Sequence, residues 1–86
     1  MKDVFNAEHT NFSANIYEFE ETSTDNRAPF SAHINISRDF GFWLSATDPW
    51  EDVETQIMGC SPTLTRDELT IFKRTWLALV NKHNVR

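Results

Sequence analysis

FGFWLSATDPWEDVETQIM, residues 40–58, joins an apolar strand pattern to an acidic helix pattern. Phe40, Phe42, Leu44 and Ala46 alternate with Gly41, Trp43 and Ser45, the two-residue period of an extended chain with one strongly apolar face. That face needs a cover, and the residues that follow turn the chain to supply it. Asp48 is expected to cap the free amides of a helix, Pro49 to take its first position, and Glu51 to stand where a capping box needs a carboxylate. Trp50, Val53 and Ile57 then recur at helical spacing and fold back on the strand, while Glu51, Asp52 and Glu54 stay in water. Gly59 is placed to end the helix in the left-handed conformation.

Working back from this stretch, Phe30, Ala32, Ile34 and Ile36 face one way and Ser31, His33, Asn35 and Ser37 the other, a clear amphipathic strand. Ser37-Arg38-Asp39 is a tight polar break, so residues 30–37 and 40–46 are expected to form a hairpin. Residues 11–19 read as a further strand, with Phe12, Ala14 and Ile16 on one side and Asn15, Tyr17 and Phe19 on the other. Such a strand is either covered on both faces or shows Tyr17 and Phe19 to a partner. Residues 20–29, EETSTDNRAP, form a polar hairpin loop that with Glu18 gathers Glu20, Glu21 and Asp25. Residues 1–10 contain Val4 and Phe5 among polar residues, enough for an anchored turn, a short helix or an edge strand.

Working forward, Cys60-Ser61-Pro62-Thr63 is a connection and Thr65-Arg66-Asp67-Glu68 a capping box, with Leu64 and Leu69 spaced as a hydrophobic staple. Leu69, Phe72, Trp76, Leu79 and His83 then form a helical stripe, widened by Ile71 and Val80, that reaches about Lys82. The far side of that helix carries Arg66, Lys73, Arg74 and Lys82. The expected fold is α+β: a three-stranded antiparallel meander with two C-terminal helices packed on one face, in a single domain over residues 1–86, with room for a short N-terminal helix.

An 86-residue chain that is 40% hydrophobic and 13% aromatic carries enough apolar area to fold rather than remain disordered. No apolar run approaches the roughly 18 to 20 residues that span a bilayer, and the first residues lack a signal-peptide segment, so a soluble cytoplasmic protein is expected. The lone Cys60 rules out an intrachain disulfide and fits a reducing compartment.

The sequence offers little for catalysis. His9, His33, Cys60 and His83 show none of the spacings of a metal site. Cys60 follows a helix C-terminus, where the dipole opposes a thiolate. Asp52 and Glu54 point apart on their helix, and capping accounts for Asp48 and Glu51. With glycine only at 41 and 59 there is no phosphate-cradling loop. No enzyme activity, metal or cofactor is expected.

Charge is the informative quantity. Residues 1–60 hold eleven acidic and three basic side chains, net −8, whereas residues 61–86 hold two acidic and five basic, net +3. An acidic surface disfavours contact with phosphates and suits basic grooves on proteins, including those that hold nucleic acid. In size, acidity and element order the chain resembles, as a class, the small phage-encoded proteins that disarm host defences, anti-CRISPR and anti-restriction proteins among them. The resemblance implies a non-enzymatic inhibitor acting in the host cytoplasm on a nucleic-acid-processing complex. Its expected contacts are Glu18, Glu20, Glu21 and Asp25 as one patch and Asp48, Glu51, Asp52 and Glu54 as another, with Tyr17 or Trp43 as a desolvated anchor. One alternative is an assembly module that pairs through a sheet edge or the polar strand face, leaving monomer or homodimer open. Another is a small regulator that binds nucleic acid through the basic last helix, which the acidic balance disfavours.

Overall fold

The computed structural model describes residues 2–19, 28–37, 40–60, 63–83 and 85. Alternating apolar residues build four strands, β1 Lys2–His9, β2 Phe12–Glu18, β3 Phe30–Ser37 and β4 Phe40–Ser45; helical stripes build α1 Trp50–Met58 and α2 Arg66–Lys82. The strands form one antiparallel sheet in the order β1-β2-β3-β4, each beside its neighbour in sequence. The class is α+β, and the sheet has four strands where three were expected.

The additional strand is the N-terminal segment, for which a helix had also been open. Its alternation is hidden by a register shift between Asp3 and Phe5 that leaves the adjacent Val4 and Phe5 both half-buried. Beyond the shift, Phe5 pairs with Ile16, Ala7 with Ala14 and His9 with Phe12, a ladder closed by the two-residue turn Thr10-Asn11.

The core lies between the sheet and the two helices. Phe12, Ala14 and Ile16 of β2, Phe30, Ala32 and Ile34 of β3, and Leu44 of β4 are buried against Trp50, Val53 and Ile57 of α1 and Phe72, Trp76 and Leu79 of α2. Trp76 meets Phe30 edge to face with ring centroids 5.0 Å apart, and Phe72 meets Phe5 at 5.2 Å. Each such side chain contributes about 1.5–3 kcal/mol by leaving water, so these rings fix how α2 lies on the sheet.

Local expectations at Phe40, at both ends of α1 and at Asp48 are corrected. Phe40, expected to face the core, is 57% exposed: it is the first residue of β4 and pairs with the exposed Ser37 at the end of the ladder, beyond the shift in β3 between Asn35 and Ser37. Asp48 does not cap α1. Its carboxylate accepts the Ser45 N–H at 3.0 Å and its own N–H donates to the Ser45 carbonyl at 3.0 Å, closing the turn behind β4. Pro49 is the N-cap and has no side chain to bond, so Glu51 has no capping box to complete. Gly59 follows α1 with φ −74°, ordinary right-handed backbone rather than left-handed.

The start of α2 follows its sequence signal. Thr65 Oγ1 accepts the Glu68 N–H at 3.2 Å, and Glu68 Oε1 accepts the Thr65 N–H at 2.9 Å. The same Glu68 oxygen lies 2.7 Å from His9 Nε2, tying the end of β1 to the beginning of α2.

Candidate protein-binding surface

Both helices lie on one face of the sheet, and among the described residues nothing covers the opposite face. Strand alternation and register arrange that face in three rows. Asp3, Tyr17, Ser31 and Ser45 form the first; Asn6, Asn15, His33 and Trp43 the second; Glu8, Ser13, Asn35 and Gly41 the third. The rows contain two carboxylates and no lysine or arginine, so the face is polar with a negative rim on β1.

Aromatic rings gather towards β4. Trp43 is 59% exposed, and its ring centroid lies 4.6 Å from that of His33 and 6.1 Å from that of Tyr17. Tyr17 belongs to β2 and Trp43 to β4; they meet across β3 because Ser31, beside Tyr17, is small. His33 reaches its place because position 41 has no side chain. A Cβ there would stand 3.0 Å from His33 Nε2 and 2.9 Å from the Ile34 carbonyl oxygen, so this glycine is required by close approach. Neither His33 nor Gly41 was among the expected contacts, whereas Tyr17 and Trp43 were, and the structure brings those two together.

The acidic residues are distributed differently from the sequence expectation. Glu18 is buried, on the side of the sheet that the helices cover, where its Oε2 lies 2.6 Å from Lys82 Nζ and 2.7 Å from His83 Nε2. The Lys82 ammonium first, and His83 next, hold its carboxyl below the usual range against the opposing effect of burial. Glu18 therefore anchors α2 and is not a free contact. Glu20, Glu21 and Asp25 lie outside the described residues. Of the second patch, Asp48 is engaged by Ser45, leaving Glu51, Asp52 and Glu54 exposed on α1. Among the described residues none of these three is in an ion pair, and the last turn of α1 has no basic residue.

The basic face of α2 is partly occupied. Lys73 Nζ lies 5.7 Å above the Trp50 ring, and Lys82 bonds Glu18. Cys60 is half-buried, its thiol donating to the Gln56 carbonyl at 3.4 Å, and burial pushes its pKa up and keeps it a thiol. Among the described residues no three His, Cys, Asp or Glu side chains are grouped to hold a metal ion, and no helix is long and apolar enough to cross a membrane.

No protein family, curated protein or solved structure matches the chain.

Proposed function

We propose that the chain is a non-enzymatic inhibitor that binds a nucleic-acid-binding enzyme or complex, its carboxylates occupying a basic surface where phosphates otherwise lie. The observation that carries this reading is α1, a nine-residue helix exposing Glu51, Asp52 and Glu54 with no cation bonded to any of them among the described residues. Unpaired carboxylates on a rigid element lose little freedom on binding and steer a basic partner towards the surface. Together with the net charge of −5, this fits a phage-type anti-defence role of the anti-CRISPR or anti-restriction kind in a host cytoplasm.

The test is affinity capture from lysate with the tagged chain, elution along a salt gradient and mass spectrometry. A variant carrying Glu51→Gln, Asp52→Asn and Glu54→Lys runs alongside; the first two are neutralised rather than reversed because lysine near a helix N-terminus opposes the dipole. Capture of one nucleic-acid-binding complex by the native chain alone supports the reading, and equal capture by the variant refutes it.

A second reading, self-association through the sheet, is favoured by the exposed Phe40 and Trp43 on the edge strand β4. Sedimentation across a concentration series separates the two. A dimer that persists in high salt supports assembly, and a monomer supports the inhibitor.

A further inference from the structure

We infer that β4 accepts an extended basic segment of the protein partner as a fifth strand, with an arginine side chain laid on Trp43. This rests on the function proposed above and specifies how the partner chain is held.

The two edges of the sheet are unlike. β1 carries Lys2, Asp3, Glu8 and His9 and is broken by a register shift, devices that discourage a further strand. β4, FGFWLS, has no charge and no proline, and it exposes Phe40 and Trp43. An uncharged edge of this kind is a template for strand pairing.

The direction of its peptide groups follows from Asp48. Both the N–H and the carbonyl of Ser45 bond Asp48, which comes after the strand, so Ser45 turns these groups away from β3. Antiparallel strands alternate, and Gly41 and Trp43 therefore turn theirs the same way, along the open edge. Two donors and two acceptors stand there for an incoming strand. Asp48 closes the edge at its Ser45 end and confines pairing to the stretch around Gly41 and Trp43.

The occupant is argued from charge. A residue opposite Trp43 on a fifth strand projects onto the open face, with its Cβ about 4.5–5.5 Å from that of Trp43. Among the described residues that face holds Asp3 and Glu8 and no lysine or arginine. The indole is held from one side by His33 and touched by Tyr17. A guanidinium stacks on such a face through cation–π and planar contact, and does so more often than an ammonium. A second copy of the chain would bring together two bodies of net charge −5, and its β4 has no lysine or arginine to lay on Trp43. A nucleic-acid strand stacked on the same ring would find no lysine or arginine among the described residues of this face to bind its phosphates.

The probe is a fluorescein-labelled peptide of alternating valine and arginine, seven residues long on the order of a β-strand's length. It is read by fluorescence anisotropy and by the backbone amide signals of Gly41 and Trp43. We expect binding that slows amide exchange at both residues. Methylating the arginine backbone nitrogens, replacing arginine by glutamate, and Trp43→Ala in the protein should each weaken it by about tenfold or more, the effect of losing strand hydrogen bonds or a desolvated cation–π contact. Trp43 is exposed, so the alanine variant should keep its thermal midpoint. Equal binding of methylated and unmethylated peptide overturns strand addition, and undiminished binding by Trp43→Ala overturns the arginine platform. Tighter binding of a labelled oligothymidylate, or a dimer of the free chain with Gly41 and Trp43 amides protected, overturns the choice of occupant. If no peptide binds while the α1 variant still loses its captured complex, this inference fails and the proposed function stands. If the variant keeps the complex, the proposed function itself fails.

Discussion

Glu18 and His83, 65 residues apart in the chain, meet at 2.7 Å on the helix-covered side of the sheet, with Lys82 bonding the same carboxylate oxygen at 2.6 Å. This contact clamps the C-terminal end of α2 to the end of β2. The capping box does the same at the other end, where Glu68 holds both Thr65 and His9. The position of α2 is thus set by aromatic packing along its length and by a carboxylate at each end.

Glu18→Gln should lower stability by about 1.5–3 kcal/mol, the usual worth of hydrogen bonds to a charged group. Urea unfolding at neutral pH measures it. Lys82→Ala should cost less, since the Lys82 side chain is largely in water.

Acid should weaken the native chain through the same groups. Glu18 is held below its ordinary value of 4.5 by Lys82 and then His83; Glu68 is held below the same value chiefly by the Thr65 N–H, with a smaller contribution from His9. A carboxyl whose folded pKa is depressed stabilises the fold above its unfolded value and loses that contribution as pH falls through the folded pKa. Thermal midpoints should therefore fall as pH drops below 4.5, and Glu18→Gln should flatten part of that decline.

Glu68→Ala should destabilise by about 1–2 kcal/mol by removing one half of a capping box, and it should also free His9. Proton NMR of the His9 ring in the variant reads the second effect separately from the first.

Gly41→Ala should cost about 1–3 kcal/mol, because the new methyl group meets a backbone carbonyl and overpacking strains its neighbours. It should also displace His33 from Trp43 and change the indole fluorescence. Combining it with His33→Ala should recover only part of the loss, since the approach to the Ile34 carbonyl remains.

Much of this architecture is legible in alternation and helical spacing, which place β2, β3, most of β4, α1 and α2. A strand that shifts register loses its two-residue period, so β1 was ambiguous at Val4-Phe5, and a residue at the end of a ladder can keep the period and still lie in water, as Phe40 of β4 does opposite Ser37. The shift between Asn35 and Ser37 was nevertheless implied. With Ser37 facing Phe40, unshifted counting would set the inward Ile34 against the outward Trp43, and only a shift sets His33 there instead. Glu18 was readable too. It continues the inward series Phe12, Ala14, Ile16, just as His83 ends the stripe Phe72, Trp76, Leu79, yet proximity to the acidic loop drew it into a surface patch. Asp48 was misassigned because a carboxylate before a helix can serve the turn behind it as well as the helix ahead. Which carboxylates remain unpaired is a tertiary property that no local pattern encodes.

The most direct measurement of the central claim is competition on the captured complex. Labelled nucleic acid bound to that complex should be displaced by the native chain in proportion to occupancy, and left in place by the variant with Glu51→Gln, Asp52→Asn and Glu54→Lys. A ternary species in which chain and nucleic acid are bound together without loss of either would contradict it.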